Sequence, residues 1–430
     1  MLVREAILVL ALGPFVYYLL ALWASCGYFR ENRKQRGQRT GRKPPVSILK
    51  PVRGLDREAY QNFASFCLLD YPEYEVLFCV NDANDPAVPV IEKLQRDFPE
   101  RRIRLLIGAP HQGASGKVNK LCRLVTESAY DLLVISDSDV RVEPSYLQDV
   151  TAPFAKPEVG AVTVFFRSET AGSVGATLDA AGSAVEFAAS ALLARRLEGI
   201  HFTLGATMAT TKKVLAEIGG FQALANHYVD DYEVGKRITE LGYQVELAST
   251  PVCMVYPRES LLQFLRHELR WTIGLRNVRG RGHAAMGLVL GFLWTVLAIL
   301  AAPTATIKWL YALTYLILRF TVYLVIGVRE LQDPVVRRKW WLAPVRDAAN
   351  FVVWVASFFS NRISWRGQEF RVTKGILVPL LEPAGNGGAA VVKRQPGQLS
   401  SLRTLDGAAP GSSMVIEPSM EFGVQGTQDQ

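Results

Sequence analysis

Cysteine is scarce in this chain and poorly placed for metal or disulfide chemistry. The 5 cysteines among 430 residues (Cys26, Cys67, Cys79, Cys122 and Cys253) never form a C-x-x-C pair. That excludes the usual zinc spacings, and an odd, scattered set suits a reducing compartment. Cys79 sits inside an apolar strand pattern and reads as a small core residue. The chain has no internal repeat and no P-loop; Gly113-Ala-Ser-Gly116-Lys117 has the flavour of one without the G-x-x-x-x-G-K-[ST] spacing. No aromatic-interleaved motif accompanies the basic residues, which argues against a nucleic-acid polymer as partner. The first apolar run lacks an A-x-A exit, and its positive charge follows rather than precedes it, so it does not read as a cleaved signal peptide.

Apolar residues are what the chain has in quantity. They make up 49% of it, and the mean hydropathy is +0.13. They concentrate at 6–25 and between 284 and 360. The net charge of +8 gathers beside them: Arg30, Arg33, Lys34, Arg36, Arg39, Arg42 and Lys43 after the first run, and Arg276, Arg279 and Arg281 before the second. This pattern predicts an integral membrane protein. Residues 1–28 are an N-terminal anchor with its C-terminal side in the cytoplasm, and two further spans lie near 285–304 and 309–328. Residues 342–360 are apolar but interrupted by Arg346 and Asp347 and flanked by basic groups on both sides, which predicts a re-entrant or interfacial hairpin. Residues 284–375 form this C-terminal membrane region. The Gly/Ala/Ser/Pro-rich tail, 383–430, is expected to be disordered.

Residues 44–258 alternate strand-like and helix-like patterns. Strands are expected at 46–49, 74–80, 103–107, 132–136, 159–166 and 243–247, with helices between them, for example 87–97 and 117–128. The alternation predicts an α/β domain on a mostly parallel, Rossmann-like sheet, with ligands outside the carboxyl ends of its strands. Residues 259–283 hold a basic amphipathic helix with Leu261, Leu265, Leu269 and Ile273 on one face and His267, Arg270 and Trp271 on another. It either lies in the membrane interface or packs on the sheet.

Five motifs carry chemistry. Asp137-Ser-Asp139 ends the apolar run Leu132, Leu133, Val134, Ile135, so a strand delivers two carboxylates where one hard cation can bridge a diphosphate. Asp82 follows the second strand; it is either an Asx turn or a carboxylate for the base or ribose of a nucleotide. Lys117, at the start of a helix after a glycine-rich turn, can approach a diphosphate. Asp230-Asp231 is both an acidic helix start and a candidate general base, because adjacent like charges raise a carboxyl pKa. Arg270-Trp271 offers a guanidinium for a diphosphate and an aromatic face for a sugar or acceptor, or else an interfacial pair. His201 reads as structural.

Taken in order, these residues resemble the D, D, D, (Q/R)xxRW signature of membrane glycosyltransferases, and most of 1–375 is similar to the ceramide glucosyltransferase family (family 21), including its bacterial and hopanoid-associated relatives. Supporting stretches are Val46-Ser-Ile-Leu-Lys-Pro-Val-Arg-Gly-Leu-Asp56, Asp70-Tyr-Pro-Glu-Tyr-Glu-Val-Leu-Phe-Cys-Val80 and Ile363-Ser-Trp-Arg-Gly367. The resemblance implies a GT-A fold, a UDP-sugar donor and a divalent cation, Mg2+ or Mn2+. It assigns Asp82, Asp137 and Asp231 to the three aspartates, the last as base, with Asp230 beside it. It assigns Arg270 and Trp271 to the final pair. His267 stands where the family has Gln or Arg, and Asp139 where a Gly is common. The expected activity is inverting transfer of a hexose from UDP-glucose, or a related UDP-sugar, to a lipid hydroxyl such as that of ceramide. Two alternatives stay open: a UDP-N-acetylglucosamine-dependent transferase acting on a hopanoid or other lipid, and a non-catalytic lipid- or nucleotide-binding scaffold.

Overall fold

The computed structural model describes residues 1–35, 43–365 and 367–380. The tail and Arg36, Arg39, Arg42 and Arg366 lie outside them. An eight-stranded sheet is built from β1 (Val46–Pro51), β2 (Tyr74–Val80), β3 (Arg102–Ile107), β4 (Leu132–Ile135), β5 (Val140–Arg141), β6 (Val159–Thr170), β7 (Met208–Thr211) and β8 (Gln244–Tyr256). The spatial order is β3-β2-β1-β4-β7-β6-β8-β5. The first four strands run parallel, as do β6 and β8; β7 is antiparallel to both its neighbours, and β5 to β8.

β1, β2 and β4 are buried along their whole length, and β4 reads as an unbroken apolar run, because helices cover both faces of the sheet. Their side chains alternate between two cores. Leu49, Leu77, Leu133 and Ile135 pack towards the helices Gly116–Glu127 and Val174–Leu197. Ile48, Val76, Phe78 and Val134 pack towards Ala59–Ser65, Val88–Asp97 and Tyr146–Thr151. The six strands expected from the sequence all form. β5 and β7 were not expected, being two and four residues long, too short for periodicity to show. β6 and β8 extend beyond their expected ends and pair with each other through two register shifts.

Among the described residues, two helices are long and apolar enough to cross a bilayer: Leu2–Lys34, 33 residues, and Ala305–Glu330, 26 residues. Gly280–Val289 and Gly291–Ala301 pass the same test together, with a 45° bend between them. The stretch 342–360 forms one helix, Ala343–Ser357, rather than the two arms of a hairpin. At about 1.5 Å per residue its 15 residues reach about 22 Å, short of a hydrocarbon core of about 30 Å. Its charged interruption is internally matched. Asp347 accepts hydrogen bonds from Arg319 Nε (3.0 and 2.8 Å) and Tyr315 OH (2.8 Å). Arg346 Nη2 meets Glu268 at 2.8 Å, and Arg319 also meets Glu186 of the Val174–Leu197 helix at 2.9 Å. Buried charges persist only when paired in this way.

The amphipathic helix spans Leu261–Val278 and opens with a capping box, Ser260 and Gln263. It buries Phe264, Ile273 and Gly274 and leaves Leu261, Leu262 and Leu275 exposed, so the leucines do not form one inward face. Beyond the last helix the chain returns as a small antiparallel sheet of β9 (Arg362–Trp365), β10 (Gln368–Thr373) and β11 (Ile376–Pro379). Ile363, Phe370, Val372 and Leu377 pack with Tyr228 and Ile273.

Candidate functional site

The carboxyl ends of β1, β2 and β4 lie side by side, as the register Leu49↔Ile135 and Pro51↔Cys79 requires. The loops that follow are laced together. Gly54 N–H donates to Asp85 (3.1 and 3.0 Å), and Ser138 Oγ donates to Asp56. Asp82 and Asp137 therefore leave the same edge of the sheet. Asp82 is exposed and accepts the Asn84 backbone N–H at 2.8 Å, so it does form the Asx turn; that leaves its second oxygen towards solvent for a ligand to use.

Asp137, Lys117 and Asp231 converge on Gly205, and Asp230 joins them through Lys117. Lys117 Nζ lies 2.8 Å from Asp137 Oδ1 and 3.7 Å from Asp230 Oδ2. Gly205 N–H donates to Asp231 Oδ2 at 2.8 Å, while the other Asp231 oxygen accepts from Tyr232 N–H at 2.8 Å. A Cβ on Gly205 would stand 2.7 Å from Asp137 Oδ2, 3.2 Å from Lys117 Nζ and 3.4 Å from Asp231 Oδ2. Only a residue without a side chain lets these groups approach so closely.

Local structure explains each placement. Ser115 caps the Gly116–Glu127 helix, and the turn before it is pinned by Ser115 N–H to Ala225 O (2.8 Å) and Ala114 N–H to Asn226 Oδ1 (2.9 Å). Lys117 is thereby aimed inward. Asp230 and Asp231 open the helix Asp230–Glu240, with Val229 rather than Asp230 as its N-cap. Lys50 is buried in β1 over the Phe66 ring, 3.7 Å from its centroid, and donates to the Asp137 carbonyl at 2.8 Å. It fixes the backbone of the acidic turn.

The electrostatics follow from burial and crowding. Burial, then the neighbouring Asp230, pushes the Asp231 carboxyl up to about 6, against the pull of Lys117. Burial, then Asp137 and Asp56, pushes Asp139 up to about 7. Burial opposes the charge on Lys117, but Asp137, Asp230 and Asp231 outweigh it and hold the ammonium protonated. Burial also lowers Lys50, to about 7, with Asp137 as the main counterweight. Asp139 Oδ1 is buried without a hydrogen-bond partner among the described residues. An orphaned carboxylate oxygen beside two other acids is a donor set that fits a hard divalent cation.

Arg270 is tied to Tyr228, whose hydroxyl feels the charge of Asp231. Its Nη1 donates to the Tyr228 hydroxyl at 3.3 Å, and that hydroxyl donates to the Arg270 carbonyl at 3.2 Å. Gly274 lets the Tyr228 ring approach the helix; a Cβ there would meet it at 2.3 Å. Trp271 is half exposed beside Arg270. His267 bonds Asp179 and Trp271. His201 is exposed and contacts only its own turn, at Glu198 O.

Comparison with known proteins now decides the family. The model of glycosyl transferase family 21 matches residues 6–378. The chain belongs to that family. Among family 21 relatives, ceramide glucosyltransferase 3 of Caenorhabditis elegans is 26% identical over 271 residues, 60% of this chain and 56% of the relative. Ceramide glucosyltransferase of Komagataella phaffii is 34% identical over 142 residues, 31% of this chain and 28% of the relative. The chain thus spans about half the length, or less, of the curated relatives it matches. Among solved structures, mannosyltransferase PcManGT from Pyrobaculum calidifontis, in complex with GDP-Man and Mn2+, is 16% identical with a TM-score of 0.45, covering 80% of this chain and 99% of that one. The family 21 chain has the expected α/β fold, a mostly parallel sheet with apolar helices before and after it in the chain.

The sequence singled out every acid that meets at Gly205. It missed Gly205, Lys50, Asp56, Asp179 and Tyr228. Only Lys50 had a signal, a lone charge in an otherwise apolar strand.

Proposed function

We propose that this family 21 protein is an inverting hexosyltransferase that moves a sugar from a UDP-sugar, UDP-glucose first, to the hydroxyl of a membrane lipid such as ceramide. The observation that carries the reading is the convergence of Asp137, Asp231 and Lys117 on Gly205, with Asp230 beside Lys117. Asp82 accepts from the nucleoside, and Lys117 and Arg270 bind the diphosphate oxygens. What a divalent cation (Mg2+ or Mn2+) held by Asp137 and Asp139 supplies is neutralisation of the diphosphate as the sugar–phosphate bond breaks. Trp271 offers its face to the sugar or acceptor. Asp231 takes the proton of the lipid hydroxyl as that oxygen attacks the anomeric carbon from the face opposite the diphosphate. The bond from that carbon to phosphate breaks and UDP leaves with the electron pair. A carboxyl raised to about 6 is mostly ionised at neutral pH yet basic enough to serve.

The topology we infer follows from contacts on one side of the bilayer. Arg33, after the first span, pairs with Glu330, at the end of the 305–330 helix, at 2.6 Å. The β9–β11 sheet bonds the 226–228 segment through Tyr228 N–H to Gly375 O and Leu377 N–H to Asn226 O, 2.8 and 2.7 Å. The chain therefore leaves the catalytic side after Val278 and is back by Arg362, which requires an even number of crossings. The bent pair and the 305–330 helix supply two, and Ala343–Ser357 stays on one side. Arg30, Arg33 and Lys34 support a cytoplasmic site.

The test is incubation of purified full-length protein in lipid with labelled nucleotide sugars and ceramide, with and without EDTA. Transfer from UDP-glucose that EDTA abolishes is expected. Undiminished turnover by Asp137→Ala refutes the metal assignment, and transfer from another nucleotide sugar alone refutes the donor.

A further inference from the structure

His267 and Asp179 form a chain of hydrogen bonds that ends on the one aromatic residue of the Arg-Trp pair. Asp179 lies in the second turn of Val174–Leu197 and is 1% exposed. Its Oδ1 accepts from Ser183 Oγ at 2.6 Å, and its Oδ2 lies 2.7 Å from His267 Nδ1. His267 Nε2 lies 2.8 Å from Trp271 Nε1. The proton count fixes the direction. An indole N–H only donates, so His267 Nε2 accepts, and the single proton of the neutral ring sits on Nδ1, donated to Asp179. Trp271 is 48% exposed; this one bond holds the polar end of a ring that solvent would otherwise let turn.

We propose that Asp179 and His267 are positioning residues that set the orientation of the Trp271 indole, and so the acceptor-side wall of the site. The proposal rests on the reading of Arg270-Trp271 as part of a transferase site. The spacing makes the bond possible. His267 stands one helical turn before Trp271, and its ring reaches across to Asp179 on a different helix. A side chain there that cannot accept a hydrogen bond leaves the indole unheld.

The same residues have a rival use. Ligand atoms of Asp179, Glu259 and His267 all lie within 4.8 Å of one another, and Glu259 Oε2 is buried without a hydrogen-bond partner. A cation on His267 Nδ1 would force the ring's proton to Nε2, where it would face the Trp271 donor. Ion and indole bond exclude each other, and the indole bond is the one formed.

Protonation of the ring breaks the chain by the same logic. The groups facing His267 are Asp179 on Val174–Leu197, Glu259 ahead of its own helix, and Glu268 and Arg270 within that helix; Arg346, from Ala343–Ser357, faces Asp179 and Glu268. Burial opposes the charged ring, but Asp179 outweighs it and raises the pKa above the usual value. The chain is made at high pH and lost on acidification.

The experiment uses full-length protein in lipid. His267→Leu and Asp179→Leu are expected to raise the acceptor KM about tenfold, the scale of one net hydrogen bond, while UDP affinity stays within about twofold. His267→Gln accepts the indole through Oε1 and donates through Nε2, so it recovers the acceptor KM to within about threefold and removes the pH dependence of Trp271 exposure. That exposure is read without turnover, as acrylamide quenching of tryptophan fluorescence that Trp271→Phe eliminates; His267→Leu and acidification both increase it. The proposal is overturned if His267→Gln is as impaired as His267→Leu, if quenching does not change, or if elemental analysis finds a bound metal that Asp179→Leu and His267→Leu both lose. Absence of transfer by the wild type against every donor fails the functional reading instead, and the quenching result still decides this one.

Discussion

Gly205→Ala gives the sharpest test of the assembled site. The added methyl would stand 2.7 Å from Asp137 Oδ2, against an ordinary carbon–oxygen separation of about 3.5 Å. The carboxylate, or the loop bearing Gly205, has to give by nearly 1 Å. The second and third contacts, Lys117 Nζ at 3.2 Å and Asp231 Oδ2 at 3.4 Å, close off easy escape, because each belongs to another member of the same cluster. Gly205 has no positive φ, so alanine fits its backbone and the global cost is that of modest overpacking, about 1–3 kcal/mol. Displacing reacting groups by about 1 Å costs about a hundredfold in rate, or about 2.7 kcal/mol of transition-state stabilisation. The assay pairs turnover of UDP-sugar in lipid with thermal unfolding of the same preparation. A variant that melts within a few degrees of wild type and loses about a hundredfold in kcat meets the expectation. Activity within about threefold of wild type refutes the convergence at Gly205, and with it the shared site.

Other outcomes follow from the same structure. With Asp231 as base and its carboxyl near 6, kcat/KM should rise with pH and level off above neutrality, falling about tenfold between pH 7 and pH 5 as the base is protonated; Asp230→Asn removes a neighbouring charge and should move that limb to lower pH. A profile flat from pH 5 to 7 removes Asp231 from the role. Asp347→Ala leaves the buried Arg319 without its main partner and should cost about 3–5 kcal/mol of stability, read as a lowered unfolding midpoint in detergent, whereas replacing Arg319 and Asp347 together by apolar residues should recover most of it.

Particular residues show why some of this was visible beforehand. Asp137 and Asp139 stood out because a two-face-buried strand announces its own end, and a β/α alternation fixes which end binds ligands. Asp230-Asp231 stood out as a charge pair at a helix start. Gly205 did not, since a glycine's importance here depends on three side chains brought to it from far along the chain. Asp179 was hidden in a helix of small apolar residues, and its partner His267 stood out only by sharing a helical face with Arg270 and Trp271 and by standing where the family has Gln or Arg. Periodicity assigns faces, but it does not say which neighbour a face meets. The 342–360 stretch misled for the same reason: Arg346 and Asp347 looked like breaks in an apolar run until Arg319, Tyr315 and Glu268 were seen around them.

The closing β-hairpin and strand, 362–379, make the last stretch of described chain a structural neighbour of the putting-together of the active centre: Gly375 and Leu377 grip the two residues on either side of His227, just ahead of Asp230. A nascent chain halted at residue 258 would have Asp82, Asp137, Asp139, Asp230 and Asp231 and no brace behind them. This brace therefore arrives late in synthesis, after the 280–301 and 305–330 helices, and a fragment cut before them would lack it.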